Sequence, residues 1–233
     1  MKSLLLPLLF AVAPAGGPLW AQSVERPAVV ELYTSEGCSS CPPADALLEQ
    51  LAARPEVIAL ALHVDYWDYI GWKDTFGDPA FAERQRDYAR AAGEKMIYTP
   101  QMVVNGKDMI VGSDAAALAE VLEPAGGADA PDLQLSRDGA SLTVRAPAVP
   151  GLDGPVVVEL VRYLPRATVA IDRGENAGQV ITYANTVTSW REIGRWDGQS
   201  PLELEVRSDG DQPAVVLIQE EGPGRILAAA LAR

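Results

Sequence analysis

From residue 28 to residue 122 the chain alternates compact apolar runs with amphipathic stretches, the pattern of strands separated by helices. Ala28-Val-Val-Glu-Leu-Tyr33 is rich in β-branched and aromatic residues and predicts a strand that enters a turn at Thr34–Gly37. Pro43–Ala52 follows with Ala44, Leu47, Leu48 and Leu51 at helical spacing and its acids toward the start. Val57–Val64 is apolar except for His63, as expected of a parallel strand buried on both faces. An aromatic group, Tyr66, Trp67, Tyr69, Trp72 and Phe76, then leads to Asp78, which has the position of a cap on a charged helix running to about Ala92. Met102–Val111 predicts two strands joined at Asn105-Gly106, and Asp114 caps a last helix through Leu122. The order β-α-β-α-β-β-α implies an α/β domain over residues 22–124 with a central mixed sheet and a helical insertion at about 66–95.

Composition shifts at Pro124-Ala-Gly-Gly-Ala-Asp-Ala-Pro131, which reads as a linker over 125–131. Beyond it, strands are expected near 133–136, 141–146, 155–163, 167–172, 179–188, 202–207, 213–219 and 225–231, with Gly, Pro and Asp between them. That spacing argues for a separate antiparallel β-sandwich over 132–233.

The first residues change the setting. Lys2, a leucine-rich run from Leu4 to Val12 and small residues before Ala21 have the layout of a signal peptide over 1–21, which implies a periplasmic or secreted chain. A membrane anchor is the alternative, but the apolar run is short of the ~20 residues a span needs. After cleavage the chain would therefore not span a membrane. The formal net charge of −13 becomes −14 when Lys2 is removed, so phosphate backbones are repelled and nucleic acid is excluded as a partner.

Among 233 residues there are two cysteines, Cys38 and Cys41, placed where the first strand meets the first helix. A scaffold held by disulfides shows several spaced pairs, and closing so short a loop stabilises a fold by only about 2 kcal/mol. A helix N-terminus, in contrast, favours the thiolate through its partial positive charge and free N–H groups. Lowering a thiol pKa from ~8.5 to about 7 is worth roughly 2 kcal/mol and raises the thiolate fraction more than tenfold. Cys38 is the candidate nucleophile, Glu36 opposes its ionisation, and Cys41 can resolve a mixed disulfide.

The element order, Cys38-Ser-Ser-Cys41 at the first strand-to-helix turn and Thr99-Pro100 before the third strand resemble the thioredoxin superfamily. The stretches His63-Val-Asp-Tyr-Trp-Asp68, Tyr98-Thr-Pro-Gln101 and Arg173-Gly-Glu-Asn-Ala-Gly178 resemble, more narrowly, a family of secreted bacterial thioredoxin-like proteins with a β-rich C-terminal part. The resemblance implies a cis proline at Pro100 facing the cysteines. It also implies a substrate groove shaped by Pro100 with Thr99 and Gln101 beside it; topology adds the loop residues Asp65, Tyr66 and Trp67 as a candidate wall, although the aromatic group from Tyr66 to Phe76 reads first as packing of the insertion onto the domain. The implied activity is disulfide exchange with protein thiols and disulfides, needing a redox partner but no cofactor beyond the Cys38–Cys41 couple. Topology agrees, because parallel strands joined by a crossover end on one edge of the sheet, where the third strand begins. Two departures stand out: serines fill the pair, and Pro42-Pro43 follow it. A proline after Cys41 disfavours helical backbone at Cys41, so the helix is expected to start late.

Glu31, seven residues before Cys38, lies one residue out of register with the buried acid that thioredoxins keep for proton transfer to or from the second cysteine, and is either such an acid or a solvated or capping one. His63, the sole histidine, is either a structural residue, a second proton-transfer candidate or a metal ligand. Arg173, Glu175 and Asn176 read as a polar turn, and Trp190 and Trp196 as sandwich core. Two other function classes stay open. The cysteines could bind Cu(I) with His63 or Met102 as a third ligand, or form a structural disulfide in a redox-inert binding protein.

Overall fold

A computed structural model describes residues 26–127 and 130–232. The expected signal peptide, 1–21, and residues 128–129 of the expected linker lie outside the described residues. The first half contains β1 (Ala28–Thr34), α1 (Pro42–Ala52), β2 (Val57–His63), α2 (Pro79–Ala91), β3 (Gln101–Val104), β4 (Asp108–Val111) and α3 (Ala115–Val121). Local chemistry accounts for the helix starts. The Asp78 carboxylate accepts from Ala80 N at 2.8 Å, and Asp114 accepts from the amides of Ala116 and Ala117.

β1 pairs in parallel with β2 and antiparallel with β3, which pairs with β4 at the sheet edge. Strands β1, β2 and β3 are buried on both faces, and their period-two alternation divides the apolar residues between two cores. Val30, Leu32, Ala59, Ala61 and Met102 pack with Leu48 and Leu51 of α1. Val29, Tyr33, Leu60, Leu62 and Val103 pack with Phe81 and Tyr88 of α2 on the other face.

The second half contains β5 (Gln134–Asp138), β6 (Ser141–Ala146), β7 (Val156–Ala170), β8 (Val180–Trp196), β9 (Leu202–Arg207), β10 (Ala214–Glu220) and β11 (Ile226–Ala232). Its strands do not form a separate sandwich. β8 joins β2 in parallel, so one mixed eight-stranded sheet runs in the order β11-β10-β7-β8-β2-β1-β3-β4. A second, antiparallel sheet, β5-β6-β9, lies on the C-terminal half of the first, and Leu142, Val144, Val158, Leu160, Val216 and Ile218 fill the space between them. Two layers are present as expected, but one is an extension of the central sheet.

The joint between the halves is made by an irregularity. Pro165 lies between the paired residues Leu164↔Thr186 and Arg166↔Ala184, opposite Asn185, whose φ is +48°. Proline has no N–H to contribute to a ladder, so the strands expected at 155–163 and 167–172 merge into one. The Asn185 side chain donates instead to Ala59 O on β2, at 2.9 Å. Among the described residues no helix is long and apolar enough to cross a membrane.

Candidate functional site

The site starts where β1 ends. Cys38 and Cys41 are joined by a disulfide with Cα atoms 5.4 Å apart. Cys38 N donates to Ser35 O and Cys41 N to Cys38 O, each at 3.1 Å. Helix α1 does not start late. Cys41 is its N-cap with helical backbone, φ −80° and ψ −33°, and Pro42 is the first helical residue. The Cys41 carbonyl accepts from Ala44 N at 2.8 Å and Asp45 N at 3.1 Å, which offsets the pre-proline penalty, while Pro42 occupies a position whose N–H would have no helical partner. Both cysteines are buried, whereas Ser39 and Ser40 between them are exposed.

The Thr99–Pro100 peptide is cis and stands beside the disulfide loop. Ser40 Oγ donates to Thr99 O at 3.5 Å, and Trp67 Nε1 donates to Thr99 Oγ1 at 2.7 Å. Trp67 and Ile70 cover Gly37, where a Cβ would lie 3.1 Å from each. Thr99, Pro100 and Trp67 thus converge on the cysteines. Gln85 on α2 accepts from Tyr66 OH at 3.1 Å and donates to the buried Gln101 Oε1 at 2.7 Å, which ties both to α2; the half-buried Tyr66 also hydrogen-bonds the Thr99 side chain and so stays beside the groove. Asp65 is half-buried at the start of the same loop, and its carbonyl accepts from Asp68 N at 3.0 Å.

Glu31 is not placed to serve Cys41. It shares a face of β1 with Val29 and Tyr33, turned toward α2 and away from α1. Its carboxylate accepts from Arg84 Nε at 2.8 Å, Tyr88 OH at 2.7 Å and Tyr33 OH at 3.0 Å. The side that α1 covers holds a different acid, Asp45, one helical turn beyond Cys41. Thr34 Oγ1 donates to Asp45 Oδ1 at 2.8 Å. Burial pushes the Asp45 carboxyl up to about 7, although the His63 charge and the Thr34 bond oppose the rise.

His63 pairs in register with Thr34 and so shares the α1 face. Its Nδ1 is 3.0 Å from each oxygen of Asp74. Burial disfavours the imidazolium, but the bond to Asp74 and the charges of Asp74, Asp45 and Glu36 outweigh it and hold the His63 pKa above its ordinary value. The Asp74 carboxyl is held below its usual range: burial opposes its charge, and His63 prevails. Burial, then the Asp74 charge, raise Glu36, whose carboxylate accepts from Trp72 and Thr75. The His63 ring meets Tyr183 edge-on at 4.6 Å, and Asp45 Oδ2, His63 Nε2 and Tyr183 OH are buried without a hydrogen-bond partner among the described residues.

Glu36, His63 and Asp74 bring ligand atoms within 4.8 Å of one another. Each carboxylate oxygen of this trio already accepts an N–H or O–H donor, so the arrangement is a hydrogen-bonded cluster rather than an open metal site. A Cu(I) site at the cysteines would need free thiolates, and its candidate third ligand Met102 is packed in the apolar core under α1.

Residues 29–219 match the family described as Protein of unknown function (DUF1223). The chain belongs to that family. It is similar to a crystal structure of a protein from Agrobacterium tumefaciens, with 30% identity over 91% of this chain and 95% of that one and a TM-score of 0.74. HBP35 of Porphyromonas gingivalis shares the fold at 15% identity over 90% of this chain and 76% of that one, with a TM-score of 0.56. No curated protein matches.

Family membership covers the central sheet and most of the C-terminal strands, and the latter supply site residues that sequence reasoning assigned elsewhere. Asn176, read as part of a polar turn, donates through Nδ2 to Glu36 O at 2.9 Å and Cys38 O at 3.0 Å. Ser39 Oγ donates to Glu175 at 2.6 Å. Tyr183 comes from β8. Asp45 carried a signal of its own, a carboxylate four residues after Cys41 on an apolar helix, but that position also suits an acid near a helix start.

Proposed function

We propose that the chain is a thioredoxin-like thiol–disulfide oxidoreductase of the periplasm or extracellular space, exchanging disulfides with protein thiols through Cys38 and Cys41. One observation carries this reading: a disulfide at the N-terminus of α1 lies beside a cis Thr99–Pro100 peptide. A substrate thiolate attacks Sγ of Cys38, the Cys38–Cys41 bond breaks, and Cys41 departs as a thiolate. A second substrate thiolate attacks the mixed disulfide and releases Cys38. The substrate dithiol loses two electrons and the protein gains them, and the reverse sequence oxidises the protein. Asp45, protonated in part near neutral pH, takes the role expected of Glu31 and supplies the proton to Cys41.

The burial of both cysteines favours a second reading, a redox-inert structural disulfide. Titration of the mature protein against a glutathione couple, with Cys38→Ser and Cys41→Ser variants, decides between them. Under the oxidoreductase reading the folded protein equilibrates with glutathione, and Cys41→Ser accumulates a mixed disulfide on Cys38. A folded protein that neither equilibrates nor forms mixed disulfides overturns it in favour of the structural bond.

A further inference from the structure

We infer that the tip of the β7–β8 hairpin, residues 172–179, is a gate that closes over the Cys38–Cys41 bond and must lift before a thiol can reach it. This inference rests on the redox reading of the same site.

Cys38 is 0% exposed and Cys41 1% exposed, while the serines between them face solvent. An attacking thiolate needs access to a sulfur as well as a favourable charge state. In the closed form that access is missing: Ser40 Oγ lies 3.3 Å from Cys38 Sγ, and the hairpin tip is hydrogen-bonded to the loop that carries both. β7 and β8 extend past the sheet and run along α1, where Arg166 pairs with the exposed Glu49 at 2.9 Å. The last ladder pair is Ala170↔Val180. Beyond it the chain makes a compact turn, closed by Gly178 N to Ile171 O at 2.7 Å and Gln179 N to Asn176 O at 3.1 Å.

The turn presents Glu175 and Asn176 to the disulfide loop. Asn176, 2% exposed, bridges the carbonyls of Glu36 and Cys38 with one amide nitrogen. The exposed Glu175 accepts from Ser39 Oγ at 2.6 Å and from Ser39 N at 3.4 Å. Gly174 seats the tip on the neighbouring loop, where a Cβ would come within 3.2 Å of Trp72 Cβ. Gly174 and Gly178 have φ of +79° and +82°, so the tip is shaped by residues that adopt such angles without strain.

These anchors differ from a core. Ile171, where the tip leaves β7, is buried and fixes its base; from Asp172 onward Asn176 is buried, most other residues are exposed, and polar contacts carry the hold on the cysteine loop. Elements with few buried apolar contacts are those that open locally while the rest of the fold stays intact. A substrate that offers its own hydrogen-bonding groups to Ser39 and the Cys38 carbonyl can replace Glu175 and Asn176, so partner binding and exposure of the disulfide are coupled.

The test measures reduction of the oxidised, full mature protein by dithiothreitol, quenched with a maleimide and read by mass spectrometry. Asn176→Ala and the milder surface change Glu175→Gln are compared with the unaltered protein, each with a circular dichroism check and a urea-unfolded control. The gate predicts reduction about tenfold faster in Asn176→Ala and two- to fivefold faster in Glu175→Gln, with equal rates in urea. Equal, measurable rates in all three folded proteins overturn the gate and leave the redox reading standing. If no folded protein is reduced while the unfolded controls are, the redox reading fails and the gate falls with it.

Discussion

Replacing Asp45 by asparagine should stabilise the protein at neutral pH while slowing the proposed disulfide exchange. The unfolded carboxyl ionises near 3.8, and in the fold burial moves that ionisation to about 7. Between these values the folded state holds a proton that the unfolded state has released, so stability falls as pH rises. At 1.36 kcal/mol per unit, the loss accumulates to on the order of 4 kcal/mol between pH 4 and pH 8. The asparagine side chain does not ionise and keeps an oxygen for Thr34 Oγ1, so the substitution removes this slope. Its amide nitrogen has no partner where Asp45 Oδ2 has none, which costs about 1–3 kcal/mol at every pH. The variant should therefore match or fall below the parent at pH 4 and exceed it at pH 8. His63 titrates in both proteins, and losing the Asp45 charge also removes one of the effects that raise it. Urea unfolding of the oxidised protein from pH 4 to pH 8, followed by tryptophan fluorescence, measures the difference. Parallel stability profiles would refute the assignment of a buried, near-neutral carboxyl. If Asp45 supplies the proton to Cys41, the same variant should lose about 10²-fold in the exchange rate at pH 7.

The other expectations concern different parts of the molecule. Glu31→Gln should leave exchange kinetics unchanged, and weaker pairing of the largely buried Arg84, which keeps Glu159 at 3.6 Å and Gln219 at 2.9 Å, should lower stability by about 1–3 kcal/mol in urea unfolding. His63→Ala breaks the buried contact with Asp74 and should cost about 3–5 kcal/mol at pH 6. Because the folded His63 pKa is raised, its contribution is complete below about 6.5 and is lost as pH rises through the folded value, so the deficit should shrink by pH 9. Gly106→Ala should destabilise by about 1–3 kcal/mol, since the φ is +68° and the new Cβ would lie 2.3 Å from Gly224 O; a thermal midpoint equal to the parent's would contradict this.

Which of these features the sequence reveals follows from the range of the forces that create them. Helix α1 and the strands β6 and β9 are legible because side-chain period and turn residues act within a few positions, and their observed bounds lie within one residue of the pattern. Capping by Asp78 and Asp114 is legible for the same reason. Glu31 is different. In a strand apolar on both faces, alternation separates Glu31 from Leu32 but does not say which face receives α1, so nothing local distinguishes an acid beside Cys41 from one paired with Arg84 across 53 positions.

The continuity of the sheet is hidden for a related reason. β8 meets β2 through one ladder pair and the side chain of Asn185, neither of which adds to a hydrophobic pattern. That weakly signalled joint nevertheless fixes where the far end of β8 lies, and with it the tip carrying Asn176, 138 positions after Cys38. A separate sandwich on a flexible linker could not hold Asn176 on the Cys38 carbonyl at 3.0 Å. The shared sheet can, because β7 and β8 stay paired through Ala170↔Val180 beyond their contact with β2 and run along α1 toward its N-terminus. The strands expected to form a separate sandwich therefore complete the surroundings of the cysteines.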